Sequence, residues 1–147
     1  MRQIGVMHGP NLGRLGVRQP QIYGSTTLHD LHEALKVAFP AVAFQFFQSN
    51  HEGELIDQLE SWRDQGWERV VLNAGALTHQ SFALRDAIES LALTVVEVHL
   101  SNIYRREPFR AHSLIAPVAV GQISGLGIQG YHLAVQYLVQ MTDLDQI

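Results

Sequence analysis

The chain has 147 residues, 46% of them hydrophobic, and a formal net charge of −4. That is enough apolar content for one packed domain over residues 1–147 and too much for disorder. There is no Lys/Arg stripe to make a nucleic-acid surface, no apolar run long enough to cross a bilayer, and no Cys for disulfides, thiolate nucleophiles or cysteine metal sites.

Residues 3–7 form a short apolar run after a polar start and predict a first strand. Residues 9–24 follow, with too many glycines and prolines for a helix and no strand alternation. Long loops inside a compact domain are usually lids or binding loops. This one carries Asn11, Arg14, Arg18 and Tyr23, and the other reading is a solvated connector. Thr27 then predicts a helix cap, with Asp30 at the third helical position. Leu28, Leu31, Leu35 and Ala38 recur at helical spacing until Pro40 stops them. Residues 42–47 are β-branched and aromatic, a second strand. Asn50 is expected to cap a second helix, with Leu55, Leu59 and Trp62 as its stripe and Gly66 as its end. Residues 69–72 predict a third strand and residues 73–80 a loop. Ser81 opens a helix with Leu84, Ile88 and Leu91 on one face. Residues 94–98 predict a fourth strand and residues 99–112 a second polar, arginine-bearing connection with room for one helical turn. Residues 117–123 predict a fifth strand, and Tyr131, Val135 and Leu138 mark a final helix.

Short, nearly all-apolar strands that alternate with helices are the pattern of strands buried on both faces. The expected fold is α/β, a flavodoxin-like doubly wound sandwich with a five-stranded parallel sheet. In such sheets ligands sit outside the carboxyl ends of the strands. That rule selects the loop after the first strand, residues 73–79 after the third, and residues 99–110 after the fourth.

Gly125, Gly127 and Gly130 match a dinucleotide-binding pattern, but no further strand with a terminal acid follows, so a tight strand-to-helix turn is the better reading. His29 and His32 have half-site metal spacing. They lie off the leucine stripe, and a solvated face is expected. Glu97 and His99 alternate at the end of the fourth strand and so point to one face. They are either a carboxylate fixing a histidine tautomer for acid–base work or an incidental pair. Arg18 and Tyr23 share the long loop. A guanidinium at ~4 Å in a partly screened site supplies about 4 kcal/mol, enough to favour a phenolate as a base at neutral pH. The plainer reading is a tyrosine packed on the loop.

Five blocks in order resemble a known family over nearly the whole chain: Gly9-Pro10-Asn11-Leu12 with Arg18 to Gly24, Phe47 to Gly53, Asn73 to His79 with Ala83 to Ala87, Glu97 to Asn102 with Phe109-Arg110 and His112-Ser113, and Gly125 to Tyr131. The chain is similar to type II 3-dehydroquinate dehydratases, which remove water from 3-dehydroquinate to give 3-dehydroshikimate with no metal or organic cofactor. The resemblance implies that Tyr23 takes the proton beside the ketone and that Arg18 assists it and closes the lid. Asn11 helps to hold a water at the developing enolate, and His99, oriented by Glu97, protonates the leaving hydroxyl. The backbone at Leu100 and Ser101 takes the substrate carboxylate, and Asn73, His79 and Arg110 bind its other polar groups. Asp86 reaches a neighbouring subunit's site, bordered by Arg106, in a homododecamer built from trimers. His8, Gln19, Tyr104, Pro108 and Leu114 depart from the usual pattern.

The competing class is a non-enzymatic nucleotide- or flavin-binding module, which leaves Arg18, Tyr23, Glu97 and His99 unexplained. An unrelated class of enzymes performs the same dehydration through a lysine imine; the one lysine here is Lys36. No basic, apolar and small-residue leader opens the sequence, and with no membrane or nucleic-acid signal the expectation is a cytoplasmic enzyme.

Overall fold

The computed structural model of the chain describes residues 2–141. Its strands are β1 (Arg2–His8), β2 (Val42–Gln48), β3 (Arg69–Asn73), β4 (Thr94–His99) and β5 (Gly121–Ser124). Its helices are α1 (Pro20–Tyr23), α2 (Leu28–Ala38), α3 (Glu52–Asp64), α4 (Phe82–Ser90) and α5 (Gln129–Gln140). The strands form one sheet in the order β2-β1-β3-β4-β5, with every pairing parallel. This is the doubly wound, flavodoxin-like order.

Alternation along the strands divides the core in two. Ile4, Val6, Val71, Val96 and Val98 face α2 and α5, meeting Leu31, Leu35, Tyr131, Val135 and Leu138. Met7, Val70, Leu72 and Val95 face α3 and α4, meeting Leu55, Leu59, Trp62, Leu84 and Ile88. All of β3 and β4 is buried, as strands covered on both faces should be, whereas the edge strand β2 is half-buried throughout.

Local signals set several boundaries. Thr27 and Asp30 form a full capping box on α2: the Thr27 hydroxyl accepts from Asp30 N at 3.1 Å, and the Asp30 carboxylate accepts from Thr27 N at 3.3 Å. Ser81 caps α4 by accepting from Leu84 N. Gly66, at φ +83°, follows the end of α3.

Four local expectations are corrected. Asn50 does not cap α3, whose N-cap is His51; the Asn50 side chain instead accepts from Asn11 N at 2.9 Å and Gln48 Nε2 at 3.2 Å, tying β2 to the long loop. The fifth strand begins only at Gly121, because Pro117 has no N–H to give a ladder and sits in a 3₁₀ turn, Ala116–Val118. The loop after β1 is not structureless: it holds a 3₁₀ turn, Leu12–Arg14, and the one-turn α1, which starts on Pro20. His32 is half-buried, unlike the exposed His29: its ring stacks on Phe46 at 3.9 Å, and its Nε2 lies 2.9 Å from His8 Nε2.

That last contact has a consequence for stability. Burial, with help from His32, lowers the His8 pKa to about 3. Burial, then Lys36 and His29, lowers that of His32 to about 4, with Glu33 opposing. Both folded values lie below the unfolded ~6.5, so the unfolded chain binds more protons as the pH falls beneath that value. The associated stability is complete above about 6.5 and is lost as the pH drops towards 4, on the order of 3 kcal/mol for His8. Urea denaturation at pH 7 and pH 4 should show this loss, and His8→Phe should flatten it. An equal pH dependence in the variant would contradict the neutral, buried assignment.

Candidate active site

The carboxyl ends of β1, β3 and β4 open into one cleft. The loops after β1 and β3 pack backbone to backbone there. Gly9 N donates to Asn73 O at 2.7 Å, and a Cβ on Gly9 would lie 2.4 Å from the Ala74 carbonyl oxygen. Gly75, at φ +59°, passes beneath Pro10 O. Only glycine permits approaches this close. The cleft is lined by Asn11, Arg18 and Tyr23 from the first loop, Asn73 and His79 from the second, and His99, Leu100, Ser101, Arg106 and Arg110 from the third. Its volume is about 120 Å³.

His99 ends β4 with its Nε2 2.5 Å from Glu97 Oε2. Glu97 is fully buried and accepts two further hydrogen bonds, from Ser113 Oγ and Gln122 Nε2, each at 2.7 Å. Burial alone would raise the Glu97 pKa, but the hydrogen bonds from His99, Gln122 and Ser113 outweigh it and hold the carboxyl below its usual range. With Nε2 committed to that carboxylate, Nδ1 is the ring nitrogen left for a ligand. Gln122 faces Glu97 because β5 pairs the two in register. Its amide is oriented by Tyr104, whose hydroxyl donates to Gln122 Oε1 at 3.2 Å.

The Tyr23 hydroxyl accepts from Arg106 Nη1 at 2.8 Å and from Arg18 Nη2 at 3.4 Å. Both guanidiniums also lie over its ring, at 5.3 and 4.6 Å from the centroid. Arg106 further donates to Ser101 Oγ at 3.2 Å. Glu107 sits between two arginines, 3.2 Å from Arg110 and 3.8 Å from Arg106.

His79 is fixed by donation from Nδ1 to His112 O at 2.8 Å. Its pKa is lowered, first by burial, with His99 and Arg110 adding to the effect and the His112 carbonyl opposing it. The carbonyls of Leu100 and Ser101 accept from Gly127 N and Ser124 Oγ, which turns them into the protein. The glycine motif of the sequence thus serves the turn before α5. Among the described residues no group of three His, Asp or Glu could hold a metal ion.

Of the residues to which the family resemblance gives a role, Asp86 alone lies apart from this assembly: it is exposed on α4, in a shallow depression with Ile56, Glu60 and Ala87. The sequence reading missed Gln122 and Tyr104, which carry a signal only once the β4–β5 register is known, and the direct contact of Arg106 with Tyr23.

The strand order and the cleft define an α/β enzyme of the flavodoxin-like class, with an imidazole–carboxylate couple and a guanidinium-clasped phenol at its strand ends. Residues 2–139 match the family described as Dehydroquinase class II, and the chain belongs to that family. It is 55% identical over 135 residues to a 3-dehydroquinate dehydratase of Chlorobaculum tepidum, covering 91% of each chain. It is 57% identical over 136 residues to one of Bacillus pumilus, covering 91% of this chain and 92% of that one. A crystal structure of a type II dehydroquinase from Butyrivibrio crossotus superposes with a TM-score of 0.92 at 39% identity, over 95% of this chain and 98% of the other.

Proposed function

We propose that the chain dehydrates 3-dehydroquinate to 3-dehydroshikimate by elimination through an enolate, with Tyr23 as the base and His99 as the acid. The reaction follows from the family and from relatives that carry the name 3-dehydroquinate dehydratase. The observation that carries the division of labour is that one cleft holds a tyrosine hydroxyl clasped by two guanidiniums and a histidine locked to a buried carboxylate.

In this reading the Tyr23 phenolate, stabilised by Arg106 and Arg18, removes the proton beside the ketone. The electron pair moves onto the ketone oxygen as an enolate, steadied by a water that Asn11 helps to hold. As the enolate collapses the carbon–oxygen bond breaks, and the doubly protonated His99 gives its Nδ1 proton to the departing hydroxyl, which leaves as water. Glu97 keeps the ring in place and balances its charge. The backbone at Leu100 and Ser101 takes the substrate carboxylate, and Asn73, His79 and Arg110 take its hydroxyl and carbonyl groups.

Purified protein with 3-dehydroquinate should produce the ultraviolet absorbance of a conjugated enone, and no absorbance change would overturn the reading. Lys36→Ala should keep full turnover. Lys36 is 54% exposed on α2 and ion-paired with Glu33 at 3.1 Å, which suits a surface cation and not a desolvated imine-forming amine.

The assembly belongs to the same proposal. A homododecamer of trimers would let Asp86 complete a neighbour's cleft, and Asp86 is exposed on a helix that also exposes Phe82 (61%). Light scattering should report a large symmetric oligomer. A fully active monomer would exclude the shared site.

A further inference from the structure

A line of hydrogen bonds runs from the cleft back through the core to α2. Asn73 Nδ2 lies 3.1 Å from the Tyr131 hydroxyl, that hydroxyl lies 3.1 Å from His8 Nδ1, and His8 Nε2 lies 2.9 Å from His32 Nε2. Asn73 lines the cleft; Tyr131, His8 and His32 do not, and the proposed dehydration gives them no part. Tyr131 and His8 are fully buried, so the side-chain polar groups of these two residues must find their partners along the line.

The direction of the protons is set at the cleft end. Asn73 Oδ1 accepts from Gly75 N at 3.1 Å, so the amide turns its NH₂ towards Tyr131. An NH₂ group only donates. Tyr131 therefore accepts from Asn73, and its O–H donates to His8 Nδ1. A neutral ring that accepts at Nδ1 carries its proton on Nε2, and the His8 Nε2–H donates to His32 Nε2. His32 then holds its own proton on Nδ1. The order requires both rings to be neutral, as burial makes them at neutral pH.

If His8 lost its acceptor, the buried Tyr131 proton would have no partner. Leaving a buried donor unmade costs more than a made bond is worth. The available repair is a half-turn of the Asn73 amide, which offers Oδ1 to Tyr131 but sets its NH₂ against the N–H of Gly75. It also exchanges the donor and acceptor that Asn73 has left for the cleft. We infer that His8, acting through Tyr131, is a positioning residue for Asn73: it holds the amide in the orientation the substrate meets, and His32 anchors the far end of the line. The inference rests on the reading of Asn73 as a substrate-binding residue.

Long-range proton–nitrogen correlation spectra of the wild-type protein with ¹⁵N-labelled histidine read the tautomers directly. His8 should be the Nε2–H form and His32 the Nδ1–H form; an Nδ1–H His8 would overturn the inference. For kinetics, His8→Phe keeps a ring in place and removes the acceptor. It should raise KM roughly 3- to 10-fold with little change in kcat. In a Tyr131→Phe background the same substitution should add almost nothing, because the two act on Asn73 as one unit. Asn73→Ala separates the two readings. If it raises KM and His8→Phe does not, the positioning role is wrong and the site reading stands. If neither raises KM, the assignment of Asn73 falls and the inference falls with it.

Discussion

Tyr23→Phe is expected to fold like the parent chain and to lose about 10²- to 10⁴-fold in kcat, the range a general base contributes. The substitution removes one oxygen and keeps the ring, so both guanidiniums retain their positions over it. What disappears is the atom that Arg106 and Arg18 hold at 2.8 and 3.4 Å. Those two contacts are the support that the oxygen brings together, and they go with it. The shorter contact assigns the larger share to Arg106, so Arg106→Ala should cost more turnover than Arg18→Ala. Enone formation measured beside circular dichroism spectra decides both points. Wild-type turnover in Tyr23→Phe would remove the tyrosine from the mechanism. Greater loss in Arg18→Ala would restore the lid arginine as its main partner.

The contrast between those two arginines shows where the sequence was legible. Arg18 and Tyr23 lie five residues apart on one loop, and proximity along the chain was enough to pair them. Arg106 is 83 residues from Tyr23, and the pairing depends on how the loops after β1 and β4 fold towards each other. The parallel sheet was readable because β1, β3 and β4 bury both faces along most of their length and so carry apolar runs rather than alternation. The edge strands were harder: β5 is short and preceded by Pro117, and β2 is only half-buried. Caps with a local partner, Thr27 with Asp30 and Ser81 with Leu84, were readable from a few residues. Asn50 was not, because it has two possible uses and its partner Asn11 comes from a loop 39 residues away. His32 was placed on the solvated face by helical periodicity. It is covered by Phe46 and bonded to His8, both on strands that periodicity within a helix cannot see. The loops at the strand ends were selected by a rule of sheet topology, and that rule holds wherever the sheet is doubly wound.

His99→Ala is expected to slow loss of water by about 10²- to 10⁴-fold while slowing proton exchange beside the ketone much less. In the proposed mechanism the two steps draw on different side chains in this cleft. Exchange needs the Tyr23 oxygen and the cations around it, which reach the cleft from the loops after β1 and β4. Loss of the hydroxyl needs the proton on His99, whose position is set from below by Glu97, Ser113 and Gln122. Removing the imidazole leaves the Glu97 carboxylate with two of its three donors, so the floor of the cleft keeps most of its support. Deuterium exchange into the substrate, followed by NMR in heavy water, reports the first step, and enone absorbance reports the second. Glu97→Gln refines the comparison. Its amide oxygen still accepts from the ring, but the negative charge is gone, so it should impair the second step by less than His99→Ala does and leave the first nearly intact. If His99→Ala lowers exchange and dehydration by the same factor while its circular dichroism and substrate affinity stay unchanged, His99 serves the proton-removing step as well, and the assignment of separate base and acid is wrong.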